Sequence, residues 1–150
     1  MYALAGICFF ASITFGPPIF AKQLAAWQVL PRSEPLTELY FKDYRKLPTT
    51  LQAGAMASTS FVIHNLEHQH LTYRYEITAV SDNNAETLLG FGDLVLSHDQ
   101  SRDIRQSFTL PSTTGSTMIK VTLHYNSQSK PKEQAIHYWV TMLAPRGGLR

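Results

Sequence analysis

The chain has 150 residues, 44% of them hydrophobic, and a formal net charge of +2, which leaves room for one domain with an appendage and a core of ordinary size. Its 13 lysines and arginines are scattered among 11 acids without a run of like charge, so nothing in the sequence supports a nucleic-acid partner. The one cysteine, Cys8, excludes an intrachain disulfide, and the folded part must be stable without one.

The chain opens on an apolar stretch. Residues 1–20 contain no charged side chain, and residues 2–15 read YALAGICFFASITF before Gly16-Pro17-Pro18. A helix of about 20 apolar residues crosses a bilayer, so the first reading of residues 1–21 is an N-terminal apolar helix acting as a membrane anchor. Pro17 and Pro18 lie near its end, where they cost least. A cleaved signal peptide is the second reading; Ile19-Phe20-Ala21 offers a cleavage site, but no Lys or Arg precedes the apolar core. A buried core helix ranks third, because no helical partner follows. Cys8 stands one residue too far from Leu4-Ala5-Gly6 for a lipidation motif, since Ile7 intervenes.

Residues 22–35 read as an interfacial segment and linker. Phe20, Leu24 and Trp27 share one helical face, and Trp27 with Lys22 suits the membrane–water boundary. A short surface helix packed on its own domain is the alternative. Pro31 and Pro35 end any helix here. Lys22 and Arg32 lie after the apolar segment, and the positive-inside rule would then keep the rest in the cytoplasm, although that bias weakens for a folded domain.

From residue 36 the hydrophobic period changes to two. Strand candidates follow at 36–41, 60–65, 71–80, 86–96, 104–110, 119–125 and 136–142. The clearest is 71–80, where Leu71, Tyr73, Tyr75, Ile77 and Ala79 alternate with Thr72, Arg74, Glu76 and Thr78. Ser81-Asp82-Asn83-Asn84 is turn chemistry. Gly90-Phe91-Gly92 is too short for a dinucleotide loop and reads as a bulge or bend. Ile119, Val121, Leu123 and Tyr125 point one way, a polar loop is expected at 126–133, and Ile136, Tyr138, Val140 and Met142 alternate with His137, Trp139 and Thr141. The pattern predicts a mainly β chain: an immunoglobulin-like antiparallel β-sandwich over 36–143, preceded by the apolar helix and followed by a flexible tail at 144–150.

One segment carries dense metal-capable chemistry. His64-Asn65-Leu66-Glu67-His68-Gln69-His70 contains the His-x-x-Glu-His pattern of inverted zinc proteases. That chemistry needs a helix to aim both imidazoles at one metal, and the flanking sequence is strand-like, which places the segment on a connection between strands. A loop site formed by His64, His68 and His70 is the weaker metal reading, and a polar turn is the simplest. There is no Gly-x-Ser-x-Gly elbow, no cysteine near a histidine and no legible pair of carboxylates, so neither an enzyme nor a cofactor is expected. No Asn-x-Ser/Thr glycosylation site occurs.

The order of features resembles the domain-of-unknown-function 1616 family of predicted membrane proteins. The resemblance rests on Leu36-Thr37-Glu38-Leu39-Tyr40-Phe41, Leu47-Pro48, Gly54, Val62-x-x-Asn65-x-Glu67, Thr72-Tyr73-Arg74-Tyr75 and His137-Tyr138-Trp139-Val140. It spans residues 36–142 and implies an extracytoplasmic β domain just after a membrane helix, with no catalytic residue and with Asn65 and Glu67 at a strand end and turn. Family members have several helices before the domain, whereas this sequence offers one. The resemblance and the signal-like start together favour the periplasmic or extracellular side of the membrane. The expected function is a non-enzymatic interaction or structural subunit of a membrane or envelope assembly. Trp27, His64, His68, His70 and Trp139 are its candidate contact residues, and the expected partners are the membrane and another protein. A binding module for glycan or metal is the alternative, through Trp139, Tyr138 or the histidine segment.

Overall fold

The computed structural model of the chain describes residues 34–145. The expected apolar helix, Trp27 and most of the tail lie outside the described residues. Among those described, eight strands follow one another: β1 (Leu36–Phe41), β2 (Thr50–Gln52), β3 (Met56–Leu66), β4 (Leu71–Ser81), β5 (Glu86–Leu96), β6 (Gln100–Thr109), β7 (Gly115–Ser127) and β8 (Lys130–Leu143). A short 3-10 turn, Tyr44–Lys46, separates β1 from β2. The strands form a three-stranded sheet, β1-β3-β6, and a five-stranded sheet, β2-β8-β7-β4-β5. The fold is mainly β in two sheets, as the period of two predicts.

The alternation reads directly into burial. Tyr73, Ile77, Ile119, Val121 and Leu123 of the larger sheet are buried in one core with Phe61 and Ile63 of the smaller. Two edge-to-face aromatic pairs join the sheets, Phe41 with Tyr138 and Phe61 with Tyr75, each with ring centroids 5.3 Å apart. Such pairs add about 0.5–1.5 kcal/mol beyond the area they bury.

The glycines of β5 have a local cause. Tyr75 lies across its β4–β5 partner Gly92, where an added Cβ would stand 2.5 Å from the tyrosine oxygen. The Tyr75 hydroxyl continues to Gln106 of β6, at 3.4 Å. Gln106 in turn packs beside Gly90. A tyrosine and a glutamine thus fill the seam between β5 and β6, and side chains at 90 and 92 would compete for it.

Several expectations need correction. The sandwich is not wholly antiparallel, because β2 pairs parallel with β8. The connection after β1 changes sheets at Leu47-Pro48 and reaches β8 from the same direction, with Thr141 N–H donating to the Thr49 carbonyl at 2.9 Å. β5 runs through the glycines as one strand, and here the expected bulge is found: Ile77 pairs with Gly90 and Thr78 with Leu88, a register shift beside the first glycine. The loop expected at 126–133 is instead a tight hairpin in which Gln128 and Ser129 take φ of 51° and 61°. Two consecutive left-handed residues give the twist that a two-residue hairpin needs. Pro131 is tolerated there because it sits near the start of β8, beyond the short reach of β2.

Candidate functional site

The segment 64–70 divides by strand parity. β3 extends to Leu66, so His64 belongs to a strand and not to a connection; only the residues after Leu66 turn. Asn65 and Glu67 are buried, while His68 and His70 are exposed. The turn is sharp enough to put His68 at φ 59°.

Asn65 ties three backbone segments together. Its amide nitrogen donates to the carbonyls of Gln69 and Leu96, both at 2.8 Å, and its side-chain oxygen accepts the Glu67 N–H at 2.9 Å. Its own carbonyl accepts the Asp99 N–H at 2.7 Å. The Leu96 carbonyl and the Glu67 N–H are bonded in buried positions and would otherwise lack a partner, which is why an amide, donor and acceptor in one side chain, serves here.

The Glu67 carboxylate is fully enclosed. One oxygen accepts the Thr37 hydroxyl at 3.1 Å and the Lys132 ammonium at 3.4 Å; the other accepts the Ser127 hydroxyl in a short bond. Thr37 is also bonded to the Tyr73 hydroxyl at 2.9 Å, and its carbonyl accepts the Gln134 amide at 3.1 Å. Burial works against the negative charge, but the bonds from Ser127 and Thr37 and the Lys132 charge outweigh it, so the carboxyl titrates below its ordinary range. Burial pushes the Tyr73 phenol up to about 12. Lys132 also stands 5.8 Å from the centre of the Tyr125 ring. This node joins β1, the turn after β3, β4 and the β7–β8 hairpin.

The histidines face other partners. His64 directs Nδ1 to Glu38 at 3.0 Å and Nε2 to Asp99 at 3.3 Å. His68 packs its ring 4.6 Å from that of His98, and its N–H donates to His98 Nδ1 at 3.3 Å. His70 Nδ1 meets the Ser97 hydroxyl at 3.1 Å. The three candidate ligands each meet a different residue of the β5–β6 connection, Asp99, His98 and Ser97, and among the described residues no group of three or more His, Cys, Asp or Glu side chains is placed to hold a metal ion. The Ser97–His70 contact has the first half of a nucleophile–base arrangement, but no carboxylate is bonded to that imidazole among the described residues.

Trp139 stands apart from all of these. In register it lies beside Met118, and Met118 beside Val80, at the end of β4 remote from the histidine turn. It is 56% exposed on the outer face of the larger sheet. The same face leaves Leu88, Phe91 and Val95 of β5 exposed, residues absent from the sequence-based candidates. The sequence shows them as strand residues, but a strand apolar on both faces can be buried on both, so their exposure shows only in the fold. Tyr138, by contrast, is buried. An open groove of about 500 Å³ lies on the outer face nearer the histidine turn, lined by Arg74, His124, Asn126, Lys132 and Glu133 among others.

No protein-family model and no curated protein sequence matches the chain. Solved structures are similar in fold. The ASH/PapD-like domain 7 of human CEP192 matches with a TM-score of 0.50 at 9% identity, covering 78% of this chain and 94% of that one. The CARDB domain of the PF1109 protein from Pyrococcus furiosus, solved in complex with di-metal ions, gives 0.51 at 13% identity, covering 76% and 93%. A β-glucosidase from Listeria innocua gives 0.50 at 13% identity, with 76% of this chain aligned to only 17% of the enzyme. At these identities the likeness shows the fold alone: a β-sandwich of the immunoglobulin-like and PapD-like kind.

Proposed function

We propose that the chain is a non-enzymatic interaction subunit, a β-sandwich held at the outer side of a membrane by its apolar N-terminal segment. The observation that carries the reading is the outer face of the larger sheet, where Leu88, Phe91, Val95 and Trp139 are each more than half exposed. Leu88, Phe91 and Val95 follow one another along β5, with Trp139 farther across the same face, and large apolar side chains lined along one exposed strand favour burial against a partner. The family resemblance and the uncharged start of the chain support the location, and the compact sandwich neighbours suit a binding module. Two measurements test it. A reporter fused after Arg150 should be active only outside the cytoplasm. Extraction from intact membranes in mild detergent should yield the chain in a complex larger than itself, and recovery of a lone monomer would count against the subunit role.

A second reading draws on the groove beside Arg74, His124 and Glu133. Mixed cationic, anionic and amide groups on a sheet face suit a polyhydroxylated ligand such as a glycan. A glycan array that gives no signal with the wild-type chain would remove this reading without touching the first.

A further inference from the structure

Among the described residues the sheet edges are unequal. β2 is three residues long. β1 is six residues long, follows Pro35 and carries Glu38. β6 carries Arg102, Asp103 and Arg105, and its register sets Arg102 opposite buried Ile63, an inward charge that discourages a further strand. β5 is guarded least: it carries two carboxylates, Glu86 and Asp93, and one register shift near Gly90, but it is long and has no cation or proline. It runs eleven residues, and among the described residues it pairs only with β4. An edge of this length presents a row of unpaired N–H and C=O groups, and guarding such rows is the rule in soluble domains.

The outward side chains of β5 say what the edge fits. By register with β4, Leu88, Phe91, Asp93 and Val95 share the outer face with Thr78, Glu76, Arg74 and Thr72. Phe91 and Val95 are 59% and 63% exposed, and Asp93 stands between them. Asp93 is only loosely neutralised, with the Arg74 Nε 4.0 Å away and both side chains more than half exposed. The only ionisable groups on β5 are Glu86 and Asp93, both acidic.

We propose that β5 is a docking edge that takes an extended segment of a partner protein as a sixth strand of the larger sheet. The outward side chains of that segment read apolar–basic–apolar across Phe91, Asp93 and Val95. Main-chain hydrogen bonds supply attachment and the alternate side chains supply selectivity. Charge selects against a second copy of this chain, since its β5 would bring two more carboxylates and no cation to the same seam. The proposal rests on the interaction-subunit reading and adds to it the edge and the chemistry of the partner.

The test compares the full-length chain with Phe91→Lys, Val95→Lys and Asp93→Lys, each extracted from intact membranes in mild detergent and sized by gel filtration. Melting temperatures confirm that each variant folds. The wild-type complex should dissociate about tenfold more readily with any of the three changes, the scale of losing one central contact. Asp93→Asn should have a smaller effect than Asp93→Lys. Val95→Thr keeps the strand and removes the apolar contact, and it serves if a lysine variant does not fold. Amide exchange in β5 should slow at least about tenfold in the complex, while β6 is unchanged. A complex indifferent to these variants but lost with Trp139→Ala overturns the edge and leaves the subunit reading standing, whereas a wild-type monomer overturns both. The partner strand is also overturned by co-isolation of two differently tagged copies as the whole complex. A photo-crosslink from Val95 that stays at monomer mass, pointing to the chain's own terminal segment, does the same, as does flotation of the sandwich on lipid vesicles through Phe91.

Discussion

Glu67 and His64 lie three positions apart and both meet opposite charge, yet their surroundings differ in kind. Glu67 is enclosed, with Thr37, Ser127 and Lys132 as its partners. His64 lies at the surface between Glu38 and Asp99, which are themselves open to water. The enclosed group must keep all its partners, because each one lost leaves a dry polar atom. The surface group can exchange a partner for water at small cost. The first site therefore holds the fold together, and the second only biases it with pH.

The largest expected effect follows from breaking the enclosed site. Glu67→Ala orphans the Ser127 hydroxyl, takes one of two partners from the Thr37 hydroxyl and leaves the Lys132 ammonium, 39% exposed, to water; it should cost about 3 kcal/mol in urea unfolding, the upper end for hydrogen bonds to a charged group. Glu67→Gln keeps the shape and should cost less. The pH dependence has a definite sign. Because the folded-state pKa is lowered from its ordinary 4.5, the contribution of Glu67 is complete above that value and is lost as pH falls through the folded value. Wild type should lose stability on acidification that Glu67→Gln does not lose. Equal acid sensitivity in the two proteins would show that the charge of Glu67 is not what the node stabilises.

Asn65→Ala comes next. It removes two donated bonds and one accepted bond at a fully buried position, and about 2–3 kcal/mol is expected. The loss should be local first, so amide exchange at Glu67 and Asp99 should accelerate more than at Val121 in the centre of the larger sheet.

How much of this can be read in the sequence depends on which physical signal each part uses. The alternation of β4, β7 and β8 is plain because one face of each strand is apolar and the other is not. β2 is invisible: three residues, Thr50-Leu51-Gln52, carry too short a pattern to show a period. The 128–129 hairpin is hidden because Gln and Ser are unusual residues for two consecutive left-handed positions, and flanking polar residues make the region resemble a loop. In the segment 64–70 the sequence displays only polarity. Asn65 and Glu67 are as polar as their histidine neighbours, and what buries them is the set of partners contributed from Thr37, Leu96, Ser127 and Lys132, all remote in the chain. Phe91 and Val95 are legible as strand residues, but their exposure depends on β5 being an edge, which strand order alone decides.

A milder change probes the same node from the β4 side. Tyr73→Phe removes the hydroxyl bonded to Thr37 and should cost about 1 kcal/mol near neutrality. It should also flatten the alkaline limb. Burial raises the phenol from 10 to about 12, so its neutral form contributes fully below pH 10, and that contribution declines as pH rises toward the folded value. Wild type should therefore lose stability between pH 10 and 12 faster than Tyr73→Phe, and parallel curves would remove Tyr73 as the cause.

The smallest effect belongs to the surface site. The bond to Glu38, opposed by partial desolvation and aided by Asp99, raises the His64 pKa above its ordinary 6.5. Its contribution is thus complete below pH 6.5 and is lost as pH rises through the folded value, the reverse of Glu67. His64→Ala should cost less than about 1 kcal/mol at about pH 6, fade toward nothing at about pH 9, and shrink further in about 1 M salt, as an exposed ion pair does. Glu38→Gln should reproduce most of that loss, and the double variant should cost little more than either single one. An equal loss at both pH values would mean that the imidazole acts by packing between β1 and the turn before β6, and the contrast with the enclosed carboxylate would then be one of degree.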